Sequence, residues 1–183
     1  MRANIIHNKS QNHRYITLMQ ELEMQGITDY EIWKAAREST IIKGINLAHK
    51  HIVRWAKENN EDAVLIFEDD IKFTDKYAFD YYMSRIPESY DIYLGGYFLG
   101  YEQNGRLKEF TALHCYMVHS RFYDTFLSTK DEIHLDQALS GLGEYIACDP
   151  IVAIQHNGWS SNTRQHCNFD KLFENRILFK SKI

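Results

Sequence analysis

The residues with the clearest chemical capacity are three consecutive acids, Glu68, Asp69 and Asp70, which close the uninterrupted apolar run Ala63-Val64-Leu65-Ile66-Phe67. Three carboxylates crowded at the end of a buried strand repel one another and lose hydration, so the arrangement calls for positive charge nearby. A divalent cation meets that need. Side chains alternate along a strand, so Glu68 and Asp70 project to one side and Asp69 to the other, the D-x-D spacing by which a first and third acid share one ion. Hard ions such as Mn²⁺ or Mg²⁺ take carboxylate oxygens and tolerate one imidazole, and His156 follows another apolar segment, Ile151 to Gln155. The plainer alternative is that the acids solvate a strand end and that His156 is structural.

Positioning these groups requires a sheet. A continuous apolar run, rather than an alternating one, reads as a central strand covered by helices on both faces. In open α/β sheets, ligands collect beyond the carboxyl ends of the strands, which is where the acids fall. Ala3 to Ile6 reads as a first strand. Tyr15, Leu18, Met19 and Leu22 then recur at helical spacing as far as Gly26, and Tyr30 to Lys34 reads as a second strand. Ile41, Ile45, Ala48, Ile52 and Ala56 form one stripe of a long helix. Thr74 is expected to cap a helix running through Tyr77 to Arg85, followed by a short strand from Asp91 to Leu94. Thr111 to Val118 reads as a strand, Ser120 as the cap of a helix carrying Phe122 and Phe126, and Leu135 as the start of a short helix stopped at Gly141. From about Arg164 the chain is basic, with five Lys/Arg against two Asp/Glu, and is expected to form a helical tail. The expected class is α/β, a central, mostly parallel sheet flanked by helices, in one domain spanning residues 1–183.

Composition narrows the function. A net charge of −4 gives no basic face for neutralising phosphates, so a nucleic-acid partner is not expected. Cys115, Cys148 and Cys167 lack zinc-site or redox spacing, which fits reduced thiols and a cytoplasmic setting. No apolar run is long enough for a membrane span, so any membrane contact is expected to be peripheral, through the basic tail. The segment Gly100 to Leu107 lacks the Lys and hydroxyl residue of a phosphate loop, and there is no Gly-x-Ser-x-Gly or His-Glu-x-x-His pattern.

The strand AVLIFEDDI, preceded by the helix GINLAHKHIVRWAKEN, resembles glycosyltransferase family 25, which includes bacterial lipooligosaccharide galactosyltransferases and collagen glycosyltransferases. Gly44, Ala48 and His49 occupy the places of that family's Gly and Ser-His pair, with Ala48 departing from the usual serine. HNKSQNHR is similar to the family's opening segment, ALHCYMVHSRFYDTFL to its aromatic strand and helix, IHLDQAL to its short Asp-containing segment, and DPIVAIQHNGWSSNT to its closing strand and loop. The resemblance implies a GT-A-like fold and metal-dependent, inverting transfer of a hexose, galactose or glucose, from a uridine diphosphate sugar. The acceptor would be a hydroxyl of a glycan, a lipid-linked sugar or a protein.

On that resemblance Glu68, Asp70 and His156 would hold Mn²⁺ (or Mg²⁺), and Asn8, Arg14, His49 and Asp69 would bind the donor. Asp136 would take the acceptor's proton; its alternative role is a helix cap or first-turn acid. The glycines Gly95 and Gly96, with the aromatics Tyr93, Tyr97, Phe98 and Tyr101 around them, could offer a platform for an acceptor sugar, although such aromatics are more often core. Two rivals use the same acids: a metal-dependent phosphohydrolase or nucleotidyltransferase, and a non-catalytic module that binds sugar nucleotide without turnover.

Overall fold

A computed structural model of the protein describes residues 1–160 and 162–181. The last two tail residues, Lys182 and Ile183, and Ser161 lie outside the described residues. The chain opens with β1 (Ala3–His7), α1 (Asn12–Met24), β2 (Tyr30–Lys34), α2 (Ile41–Glu58) and β3 (Ala63–Glu68), which match the apolar periodicities closely. Thr40 caps α2, its side chain accepting the Lys43 N–H at 3.2 Å.

Beyond β3 the chain runs through β4 (Ile71–Phe73), α3 (Ala78–Ser84) and β5 (Ile92–Leu94), then β6 (Gly100–Gln103), β7 (Arg106–Phe110) and β8 (Cys115–His119). Helices α4 (Tyr123–Ser128) and α5 (Leu135–Leu139) precede β9 (Tyr145–Ala147), β10 (Ala153–Gln155), β11 (Gly158–Ser160), β12 (Gln165–Cys167) and a single turn, α6 (Phe169–Leu172). Eight strands form one mixed sheet in the order β2-β1-β3-β8-β5-β9-β7-β6. The β2–β1–β3 half is parallel, whereas β8 runs antiparallel to both β3 and β5. Strand β4 leaves this sheet to pair with β10, with Gln155 opposite Ile71.

Strand alternation divides the core. Val64 and Ile66 pack with Ala48, Ile52, Val53 and Ala56 of α2, while Leu65 and Phe67 pack with Leu18 and Leu22 of α1 and with Tyr82 of α3. Each fully buried Leu, Ile or Phe contributes roughly 1.5–3 kcal/mol of transfer free energy. A strand covered on both faces is therefore apolar at every position, as the run in β3 is.

Three expectations are corrected. The helix expected from Thr74 begins only at Ala78, because Ile71–Phe73 pairs with β10 and Tyr77 sits at φ +64°. The helix expected from Ser120 opens with a 3₁₀ turn, Ser120–Phe122, before α4; the Ser120 N–H donates to the Asp62 carbonyl at 2.8 Å and His119 Nδ1 accepts the Arg121 N–H at 3.3 Å. The described part of the basic tail opens with β12, makes the single turn α6 and then runs on as irregular chain: Phe173 is buried, and the Phe179 N–H donates to Ile151 O at 2.8 Å. Phe169 and Phe173 are buried, whereas Leu172 and Ile177 stay exposed, so the described tail residues form no single helix with one continuous apolar face.

Gly96 shows how tightly the sheet's centre is fitted. A Cβ there would lie 2.0 Å from the carbonyl oxygen of Ala153, a backbone atom that no rotamer change can move. Gly96→Ala is expected to cost ~1–3 kcal/mol by overpacking, read as a lowered thermal midpoint. A midpoint equal to wild type would mean that β10 slides freely.

Candidate active site

Strand β3 ends at Glu68, and Asp69 and Asp70 lie in the turn that follows it. Asp69 turns toward α1: Asp69 Oδ2 accepts the Asn8 N–H at 3.0 Å and lies 2.8 Å from His7 Nδ1, while its Oδ1 accepts from Arg14 Nη1 at 2.9 Å. Glu68 and Asp70 both face a second side, where the Gln155 amide nitrogen donates to Glu68 Oε2 and to Asp70 Oδ1, each at 3.0 Å. Arg14 Nη1 also lies 2.9 Å from Asp70 Oδ2, and Nη2 donates to the Trp159 carbonyl at 2.7 Å. His49 reaches from α2, with Nε2 3.3 Å from Glu68 Oε1 and Nδ1 2.7 Å from the Tyr116 hydroxyl.

Burial is uneven across the triplet. The Asp69 and Asp70 side chains are 6% and 10% exposed, whereas Glu68 keeps 26% open. Burial pushes the Asp70 carboxyl up, the neighbouring Glu68 charge adds to this, and Arg14 only partly offsets them, leaving Asp70 at about 7. Burial also works to raise Glu68, but its hydrogen bond from His49 and nearby positive groups outweigh it and hold Glu68 below its ordinary value.

Two cavities meet at this cluster. The first, about 810 Å³, lies over the carboxyl end of β1 and the segment entering α2, lined by Asn8, Ala36, Arg37, Gly44, Glu68 and Asp69 among others. The second, about 310 Å³, is lined by Glu68, Asp70, Gln155, Asp136, Phe98 and Phe169 among others. Glu68 and His49 border both, and so form part of the shared wall. Gly44 lets the entering segment close down on α2, since a Cβ there would lie 2.8 Å from the Ala36 carbonyl oxygen.

The expected site residues divide accordingly. Glu68, Asp69, Asp70, Asn8, Arg14 and His49 come together. His156 does not join Glu68 and Asp70: its imidazole Nε2 lies 2.9 Å from Glu21 Oε1 on α1, and alternation at the end of β10 presents Gln155 instead. Asp136 borders the second cavity, with Oδ2 accepting the Ala112 N–H at 3.0 Å and Oδ1 accepting the Gln137 N–H at 2.8 Å. It therefore acts in the first turn of α5 and also secures Ala112, held at φ +83°, a left-handed conformation costly for a residue with a Cβ.

Gly95, Gly96 and Tyr97 line neither cavity. The glycines admit close approach of Cys115 and the Ala153 backbone, and the Tyr97 ring lies under Arg176, whose guanidinium carbon is 4.7 Å from the ring centroid. The aromatic wall is Phe98, stacked on Phe169 of α6 at 5.1 Å and on His114 at 5.8 Å. Gln155 and Phe169 were missed in sequence. Alternation counted through β10 would have pointed to Gln155, but nothing local in the sequence marks Phe169 as a cavity residue.

No helix among the described residues is long and apolar enough to cross a membrane. No family model matches the chain, and no curated protein matches it. Among solved structures, A197 from STIV aligns over 100% of this chain and 99% of its own, with a TM-score of 0.57 at 13% identity. A glycosyltransferase involved in the glycosylation of the major capsid of PBCV-1 aligns over 81% of each chain, with a TM-score of 0.51 at 14% identity. These likenesses are of fold, and the mixed sheet flanked by helices is GT-A-like.

Proposed function

We propose that the protein is a glycosyltransferase, similar to family 25, that moves a hexose from a uridine diphosphate sugar to a hydroxyl of a glycan, lipid-linked or protein acceptor. The observation that carries this reading is the pair of cavities sharing the wall of Glu68 and His49 at the carboxyl end of β3. A donor and an acceptor must meet at one carbon, and two clefts joined at an acid cluster give each its own place. The donor nucleoside and diphosphate are assigned to the first cavity, beside Asn8, His49 and Asp69. The transferred sugar and acceptor are assigned to the second, against Phe98 and Phe169.

The residues present fit a divalent cation of the Mn²⁺ or Mg²⁺ type. Three largely buried carboxylates are faced by one guanidinium, Arg14, which leaves negative charge over for a cation. Among the described residues no group of three or more His, Cys, Asp or Glu is placed to hold a metal ion by itself, so two carboxylates at most would contribute. Ions of this type commonly take one or two carboxylates and complete their shell from substrate phosphates and water. Glu68 and Asp70 would hold it, and when bound it supplies positive charge to the departing diphosphate. Asp69, tied to His7, Asn8 and Arg14, fixes the β1–α1 turn against the donor. Asp136 lies across the second cavity and would accept the acceptor's proton from the side away from the leaving group, which gives inversion.

The test is donor turnover over a panel of uridine and guanosine diphosphate sugars, with Mn²⁺ or with chelator. Slow release of an intact nucleoside diphosphate from one donor, lost on chelation, is the expected result. Release of inorganic phosphate or of a sugar phosphate would assign a hydrolase instead, and metal-dependent binding without turnover, even with acceptors supplied, would assign a binding module. Asp136→Asn is expected to slow transfer about a hundredfold while donor binding stays within twofold. An unchanged transfer rate would reduce Asp136 to its first-turn role in α5.

A further inference from the structure

Gln155 is held in place by its own main chain and is 8% exposed. Strand β10 pairs with β4 so that Gln155 lies opposite Ile71, and the next N–H, of His156, donates to the Asp70 carbonyl at 2.8 Å. The buried side chain is held by its two acid partners, and its terminal torsion is broad and roughly two-fold for an amide. Its nitrogen now stands between Glu68 Oε2 and Asp70 Oδ1, 3.0 Å from each, and bridges the two acids that border the second cavity. An amide offers donors on one edge and an acceptor oxygen on the other, so the same side chain can face either two carboxylates or a cation placed between them.

We infer that Gln155 is a switchable metal ligand. Without metal, its N–H groups bridge Glu68 and Asp70 and partly offset their repulsion; with a divalent ion between the acids, the amide turns over and presents Oε1 as a third protein oxygen. This rests on the assignment of the ion to Glu68 and Asp70. It also accounts for the placement of a neutral side chain where His156 was expected. A carboxylate at position 155 would add to an already uncompensated buried cluster, and an apolar residue would leave the acids unbridged.

Mn²⁺ binding is measured through the paramagnetic resonance of the free ion, with the protein alone and with uridine diphosphate, for wild type, Gln155→Leu and Gln155→Glu. The expected result is Mn²⁺ binding by wild type, about 10–100-fold weaker binding by Gln155→Leu, and affinity kept or raised in Gln155→Glu. Thermal unfolding checks that each variant folds, and Gln155→Glu is expected to gain more in midpoint from Mn²⁺ than wild type gains. If wild type binds Mn²⁺ and Gln155→Leu binds it equally well, Gln155 is only a spacer and the inference falls while the metal assignment stands. If wild type takes up no Mn²⁺ in either condition, the metal assignment itself falls and takes this inference with it.

Discussion

Asp70→Asn is expected to give a protein that is more stable than wild type at pH 8 and does not turn over donor. The carboxyl sits at about 7 in the folded chain against an ordinary value of 3.8. Between those two values the folded state holds a proton that the unfolded state has released, so folding stability falls as pH rises through that window. Below it both states are protonated and Asp70 costs little. Above it the full penalty applies. A shift of about three units corresponds to roughly 4 kcal/mol, and because Asn does not reproduce every hydrogen bond of the acid, a gain of ~1–3 kcal/mol at pH 8 is expected. The gain should shrink toward zero near pH 4. Turnover should fall about a thousandfold or more, ~4 kcal/mol of transition-state stabilisation, since the site then offers one ionised oxygen ligand where the diphosphate needs a held cation. Urea midpoints at pH 4, 6 and 8 together with donor turnover decide it. A variant with equal stability change at every pH would show that Asp70 is already fully compensated, and retained turnover would remove it from the site.

The acids were legible because β3 is apolar at every position until Glu68; counting alternation onward pairs Glu68 with Asp70, which do share Gln155, although Asp69 and Asp70 lie in the turn beyond the strand and both reach Arg14. The parallel half of the sheet and the stripe on α2 were legible for the same reason, each being a local periodicity. The β6–β7 hairpin was missed although its signal was present: Asn104 and Gly105 adopt φ +56° and +72°, the pair of positive values that an Asn-Gly hairpin turn requires. Other features had no local signal. That Gln155 rather than His156 meets the acids depends on the register of β10 against β4, two segments some eighty residues apart. The tail was expected to be a helix because Phe169, Leu172 and Phe173 have helical spacing, yet Phe169 is used to stack on Phe98 and Phe173 to fill a small core with Ile151 and Ile154. Tertiary burial overrode the local period there.

Arg14→Leu is expected to be the most destabilising change at the site, and its pH dependence should run with that of Asp70. Arg14 bonds Asp69, Asp70 and the Trp159 carbonyl, and it is the one always-charged side chain bonded to the triplet among the described residues. Removing it leaves Asp69 with its His7 and Asn8 contacts and Asp70 with only the Gln155 amide; because a carboxyl at about 7 takes up a proton rather than stay charged and unpaired, the share of the loss that comes from Asp70 at pH 8 is limited to roughly 1–2 kcal/mol. That cost requires an ionised Asp70. At pH 5, well below its value of about 7, Asp70 is already protonated in the folded protein, so the loss should fall by roughly half, the remainder arising from Asp69 and the freed Trp159 carbonyl. The double variant Arg14→Leu/Asp70→Asn should recover about 1–2 kcal/mol of the single-variant loss at pH 8 and much less at pH 5, a coupling that additive, independent sites would not show. Chemical unfolding of the four proteins at the two pH values measures it directly. Equal losses at both, or strict additivity, would mean that Arg14 stabilises the fold by anchoring the β11 carbonyl to α1 rather than by neutralising the acids, and the case for a charge-starved metal site would then rest on Glu68 alone.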